Sequence, residues 1–321
     1  MYFFKEIDGS LQRASTPDDV RLAVNRLKSL HDGESAIIDV VSFGKQAIPA
    51  LRRLLFTREP TGMYHPRCLA VRALAALQDC DGLIDFLKTP TKRSDALEAI
   101  GDEAVINAAA RALAKFPEER VFEFLLSVAE REYLPGVIDA LGSFEKVETI
   151  PFLVAALSDD DCRRYAEGAL LKLGSSARQS LITTIVESPS DEGGIALRKR
   201  VSALRLLIEI GLEAQSWPIL RHLMWDRNPK LAALVCGIAL EIAPPREKKE
   251  AVSRLNALLG DIGWTLAREI ERQILAHFQI SRVARLLSHE EEKSFSEFTG
   301  MQVWLPHALR RLAALIDWRG H

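Results

Sequence analysis

Four residues in one short stretch have the types and spacing for chemistry: Trp217, Trp225, Asp226 and Arg227. Aromatic rings can hold a flat base by stacking, a carboxylate can move a proton, and an arginine can grip a phosphate. That set would suit a nucleic-acid site. A plainer reading competes. Trp217 and Trp225 fall on nearly the same face of a helix, as core or ridge residues. Asp226-Arg227-Asn228-Pro229 is a turn ending in an N-cap, with proline at the first helical position.

A second set is a series of cations. Arg163-Arg164 has counterparts in Arg67, in Lys199-Arg200 and in Lys230, each near the start of the second helix of a pair. With Arg198, Arg205, Arg268 and Arg272 they form a candidate row for an acidic protein segment or a phosphate backbone. The competing arrangement is a ladder in which each arginine bonds turn carboxylates of its own or the next unit, such as Asp159 and Asp161. Glu209, Glu269 and Glu271 interleave with the row and count against nucleic acid.

Other chemistry finds little support. None of the seven histidines has HxxxH or HExxH spacing, so no metal site is expected. Cys68, Cys80, Cys162 and Cys236 form no CxxC pair and read as reduced thiols packed in a small core. There is no P-loop, no GxSxG and no dinucleotide fingerprint, so neither a catalytic residue nor a cofactor is expected.

The composition is globular, 48% hydrophobic and 27% charged, with net charge −2. That balance argues against a surface that grips nucleic acid throughout. The start MYFFKEIDGS lacks the pattern of a signal peptide, and the apolar run Leu231 to Leu240 is too short to span a bilayer. A cytoplasmic protein without a membrane segment is expected, and that run should be a buried helix.

The elements that must position these residues repeat along the chain. Val147 to Glu187 is the clearest case. Ile150, Leu153, Val154 and Leu157 make one apolar stripe, with Pro151 in the first turn. Asp159 to Asp161 offer capping oxygens, and Gly174 closes the following helix. Ile48-Pro49-Ala50-Leu51, Ile150-Pro151-Phe152-Leu153 and Trp217-Pro218-Ile219-Leu220 match one another, spaced by multiples of about 34 residues. Gly44, Gly101, Gly142, Gly174 and Gly211 read as unit ends.

Residues 1–33 read as an N-terminal helical cap, with Thr16 as N-cap and Pro17 at the first helical position of its second helix. Residues 34–287 read as the repeat array. It is irregular at 82–117, where three helices are expected at 82–88, 94–100 and 103–116. Helices are also expected at 45–56 and 213–225, and loops at 59–62 and 188–194. Residues 288–321 read as an acidic linker and a capping helix, which could instead dock on a partner. No stretch alternates like a strand, so the fold expected is an all-α solenoid of stacked antiparallel helix pairs.

The stretch IPFLVAALSDDDCRRYAEGALLKLG, Ile150 to Gly174, resembles HEAT repeats, in particular the short HEAT-like repeats found in phycobilin lyases. The likeness lies in Pro151, the Asp159 to Asp161 turn, Cys162-Arg163, Ala169-Leu170 and Gly174, and extends with decaying quality over residues 34–278. It implies right-handed stacking, with second helices lining a concave groove. A non-enzymatic scaffold that holds a protein partner in that groove is the function expected. A HEAT-like DNA glycosylase or other nucleic-acid binder, and a chaperone for a bilin, are the alternatives the resemblance implies.

Overall fold

The computed structural model describes residues 16–58, 63–89, 96–187, 194–259 and 263–288. Among them there is no strand. The expectations for residues 1–14, 59–62, 188–193 and the tail from 289 lie outside these residues. The chain divides into two compact units, Met1–Leu181 and Ile182–His321.

In the first unit the helices are α1 Pro17–Arg26, α2 Gly33–Ser42, α3 Ile48–Phe56, α4 His65–Ala76, α5 Cys80–Lys88, α6 Ala96–Leu113, α7 Glu119–Ala129, α8 Pro135–Ser143, α9 Ile150–Ala156 and α10 Arg163–Leu173. Each odd helix packs on the even one that follows. The even helices α2, α4, α6, α8 and α10 also pack on one another in order. Two layers result, each shielding the other's apolar stripe, which is the architecture of an all-α solenoid. Leu51, Leu55, Leu69, Leu74, Leu113, Leu141 and Leu153 are fully buried between the layers. Each contributes about 1.5–3 kcal/mol by leaving water.

Helix α11, Arg178–Glu187, crosses the division between the units. The second unit continues with α12 Gly194–Ile210, α13 Trp217–Leu220, α14 Pro229–Ile242, α15 Pro245–Leu258 and α16 Trp264–Ser288. Here α14 is central: α12, α15 and α16 all pack on it. Residues Leu231 to Cys236 are all buried, as the apolar run requires. Asn228 caps this helix by accepting from the backbone N–H groups of Lys230 and Leu231, with Pro229 at its first position. Thr16 caps α1 as expected, and the Asp19 side chain accepts in return from the Thr16 backbone N–H.

Three expectations need correction. The region expected to hold helices at 94–100 and 103–116 is one helix, α6, 18 residues long. Gly101 does not stop it, because Asp102 in the next position is buried and fixed by Arg58 and Arg67. The helices expected at 45–56 and 213–225 are not α-helical throughout. Tight 3-10 turns, Gly44–Ala47 and Ala214–Ser216, lead into the Ile-Pro and Trp-Pro steps, and a further 3-10 stretch, Arg221–Trp225, ends the second.

The glycines serve two purposes. Gly44, Gly174 and Gly211 have φ of 58°, 54° and 90°, the left-handed values of a helix stop. Gly142 instead lies inside α8, where an added Cβ would come within 2.5 Å of the Ala169 Cβ of α10. It lets two helices approach closely. Gly142→Ala should therefore cost about 1–3 kcal/mol by overpacking, and Gly142→Ala with Ala169→Gly should recover part of it. Chemical denaturation of the full chain measures both. An unchanged midpoint for Gly142→Ala would refute the close approach.

Candidate functional site

The cations at the starts of the even helices are tied down by a recurring device. The Nε of Arg67 donates to the Leu55 carbonyl at the end of α3, at 2.9 Å, and its Nη1 to Asp102 of α6 at 2.6 Å. The Nε of Arg200 donates to the Ile185 carbonyl near the end of α11, at 3.0 Å, and its Nη2 to Asp226 at 3.0 Å. The Nε of Arg163 donates to the Leu157 carbonyl after α9, at 3.0 Å, and its Nη2 to Asp160. Each arginine thus satisfies a carbonyl that its helix leaves orphaned and adds positive charge at the negative end of the dipole. Asp159 takes no part in the pairing. Its Oδ1 accepts from the N–H groups of Asp161 and Cys162 and closes the turn.

This bears directly on the expected row. Arg200 is buried, with 4% of its side chain exposed, and so cannot line an open surface. Arg163 is only partly exposed and committed to its own turn. Arg164 is exposed but stacks on Tyr165, 5.0 Å from the ring centroid, and donates to its hydroxyl at 3.1 Å. Arg111 of α6 lies against the same ring at 5.1 Å and bonds Asp139 of α8 at 2.9 Å. Farther along the even layer Arg72 pairs with Glu34. In the first unit, then, the cations of Arg72 and Arg111 on that layer are matched by carboxylates.

The second unit differs. On α12 the residues at 195, 198, 205 and 208 share a solvent face, so Arg198 and Arg205 sit with Ile195 and Ile208. On α16 Arg268 and Arg272 are exposed one turn apart. Arg205 and Arg272 bond no carboxylate among the described residues. Glu209, although exposed on the same helix as Arg205, forms no ion pair with it.

The four residues that suggested chemistry are taken apart by the fold. Trp217 is buried at 3% exposure and its Nε1–H donates to Glu247 of α15. Asp226 is buried, held by Arg200 and by the N–H of Asn228 at 2.8 Å. A carboxylate so enclosed is out of reach of substrate. Trp225 is 60% exposed, and Arg227 is exposed beside it. The two tryptophans do not share an environment, because the 3-10 winding of Arg221–Trp225 rotates the second one outward.

No group of histidine, cysteine, aspartate or glutamate that could hold a metal occurs among the described residues. Burial pushes the Cys162 and Cys236 thiols up to about 12, with the Asp159 carboxylate adding to the effect at Cys162. Thiols so placed are poor nucleophiles at neutral pH. No helix among the described residues is long and apolar enough to cross a membrane.

Comparison with known proteins adds little. No protein-family profile matches the chain, and no curated protein matches it. Among solved structures it is similar to the complex of CpcE and CpcF of phycocyanin lyase from Nostoc sp. PCC7120. The identity is 19%, the match covers 80% of this chain and 100% of that one, and the TM-score is 0.35. At that level the likeness bears on neither ligand nor activity.

The buried pair sets a clear expectation. Arg200→Met leaves Asp226 charged and unpaired in the interior and should cost about 3–5 kcal/mol, whereas Arg200→Met with Asp226→Leu should regain most of that loss. Denaturation midpoints of the two variants give the comparison. A small loss in the single variant would mean that the pair is hydrated and not a brace.

Proposed function

We propose that the chain is a binding scaffold that holds an acidic segment of a protein partner against the second-helix face of its C-terminal unit. The observation that carries this reading is the pair Arg205 and Arg272. They are exposed on α12 and α16, two helices that both pack on α14, and neither is neutralised by a described carboxylate. Arg198 and Arg268 are exposed on the same two helices. Ile195 at 58% and Ile208 at 40% exposure supply apolar contact on α12. A partner with carboxylates and an apolar side chain would satisfy both features, and such complementarity sets encounter rate and register.

Protein is preferred to nucleic acid for two reasons. Glu209 and Glu241 are exposed on the same layer, on α12 and α14, and would repel a phosphate backbone. The aromatic and carboxylate set that suggested base excision has its carboxylate buried in an ion pair.

Arg205→Glu with Arg272→Glu should leave the helical content unchanged, because both side chains are exposed. Binding of labelled polyglutamate to the full chain at low salt should weaken by roughly tenfold or more and lose part of its salt dependence. Equal binding by the variant refutes the reading. Duplex DNA bound more tightly than polyglutamate, through the same arginines, would move it to nucleic acid.

A further inference from the structure

The 3-10 stretch Arg221–Trp225 buries Leu223 and Met224 and turns Arg221, His222 and Trp225 to solvent. With three residues per turn, His222 and Trp225 lie on one edge of it. Trp225 is 60% exposed, against 3% for Trp217. Such a ring, with its apolar faces in water, is uncommon on a surface that has no use for it.

Arg254 of α15 lies over the ring, its guanidinium carbon 5.3 Å from the centroid. Its Nε donates to the Met224 carbonyl at 3.2 Å, which fixes the guanidinium beside the indole. Arg254 forms no ion pair with a described carboxylate. The cation is held in place, is partly dehydrated by the ring, and has its remaining N–H groups unspent on carboxylate. Arg221, 62% exposed in its side chain, and exposed Arg227 lie before and after Trp225 in the chain. Glu247 of α15 already accepts from Trp217 and faces Arg221.

We propose that Trp225 and Arg254 form an anchor for a peptide segment that places a carboxylate next to an aromatic or large aliphatic side chain. The carboxylate takes the open edge of Arg254 in a charge-assisted pair, and the neighbouring side chain covers the indole. Tryptophan and arginine side by side are the residues that most often dominate a protein interface. The Arg254 cation, which pairs with no described carboxylate, sets the sign of the partner. The anchor is built from a 3-10 turn and α15, not from α12 and α16, so it stands or falls apart from the arginine face of those two helices.

The test uses the full chain and a fluorescein-labelled decapeptide with glutamates on both sides of a central phenylalanine, read by anisotropy at physiological salt. Trp225→Ala should weaken binding by about tenfold or more, and Trp225→Phe by no more than about threefold. Arg254→Gln should weaken it by about fivefold. Arg205→Glu with Arg272→Glu should change it by less than about twofold, since neither side chain belongs to the anchor and exposed charges are screened by salt. Circular dichroism confirms that the Trp225→Ala chain is folded. Four results each overturn the anchor: no binding by the unaltered chain, wild-type binding by Trp225→Ala, equal binding of the peptide with its glutamates changed to glutamine, or displacement by single-stranded DNA acting through Trp225. A loss confined to the Arg205 and Arg272 variant leaves the arginine face standing and the anchor refuted.

Discussion

An arginine that donates at once to the end of one helix and to a carboxylate is the constraint around which this chain is built. Arg67 joins α3 to α6, and Arg200 joins α11 to the turn before α14. The backbone needs such a partner, because the last carbonyls of a helix have none of their own. The arginine needs it too, since a buried guanidinium left without an anion is far more costly than one that is paired. Dispersion and burial hold the layers together, but they are indifferent to register. The arginine fixes which turn of one helix meets which turn of the next.

That use of charge separates structural from available cations. Arg67, Arg163 and Arg200 turn to a helix end and are consumed there. Arg205 and Arg272, on the solvent faces of α12 and α16, bond no described carboxylate. Trp225 and Arg254 follow the same logic in the other layer. Trp217 is folded in and bonded to Glu247, whereas Trp225, a short 3-10 stretch later, is left to water.

Much of this was legible in the residues. The Ile-Pro and Trp-Pro steps, the Thr16 and Asn228 caps and the absence of alternating strands all have local causes, and local causes can be read from order. The choice between brace and ligand for Arg163 and Arg200 could not be settled that way. For Arg200 it depends on a distant turn that brings Asp226 near, and for Arg163 on which of the three adjacent aspartates of its own turn, Asp160, faces it. Gly101 and Gly142 look like Gly174 in sequence but lie within helices. One is carried through by the Asp102 ion pairs, and the other makes room for Ala169. Eight residues of α-helix would bring Trp225 close to the face of Trp217. The switch to 3-10 winding has no obvious signal in HLMW.

Hydrogen exchange on the full chain carrying Arg67→Gln tests most directly whether these arginines bind separate helices into one cooperative body. If they do, amides in the last turn of α3 and around Asp102 in α6 exchange faster together, although they are far apart in sequence, while α9 and α10 keep their protection. Faster exchange confined to the first turn of α4, or none anywhere, would show that Arg67 is a passenger and that packing alone sets the register.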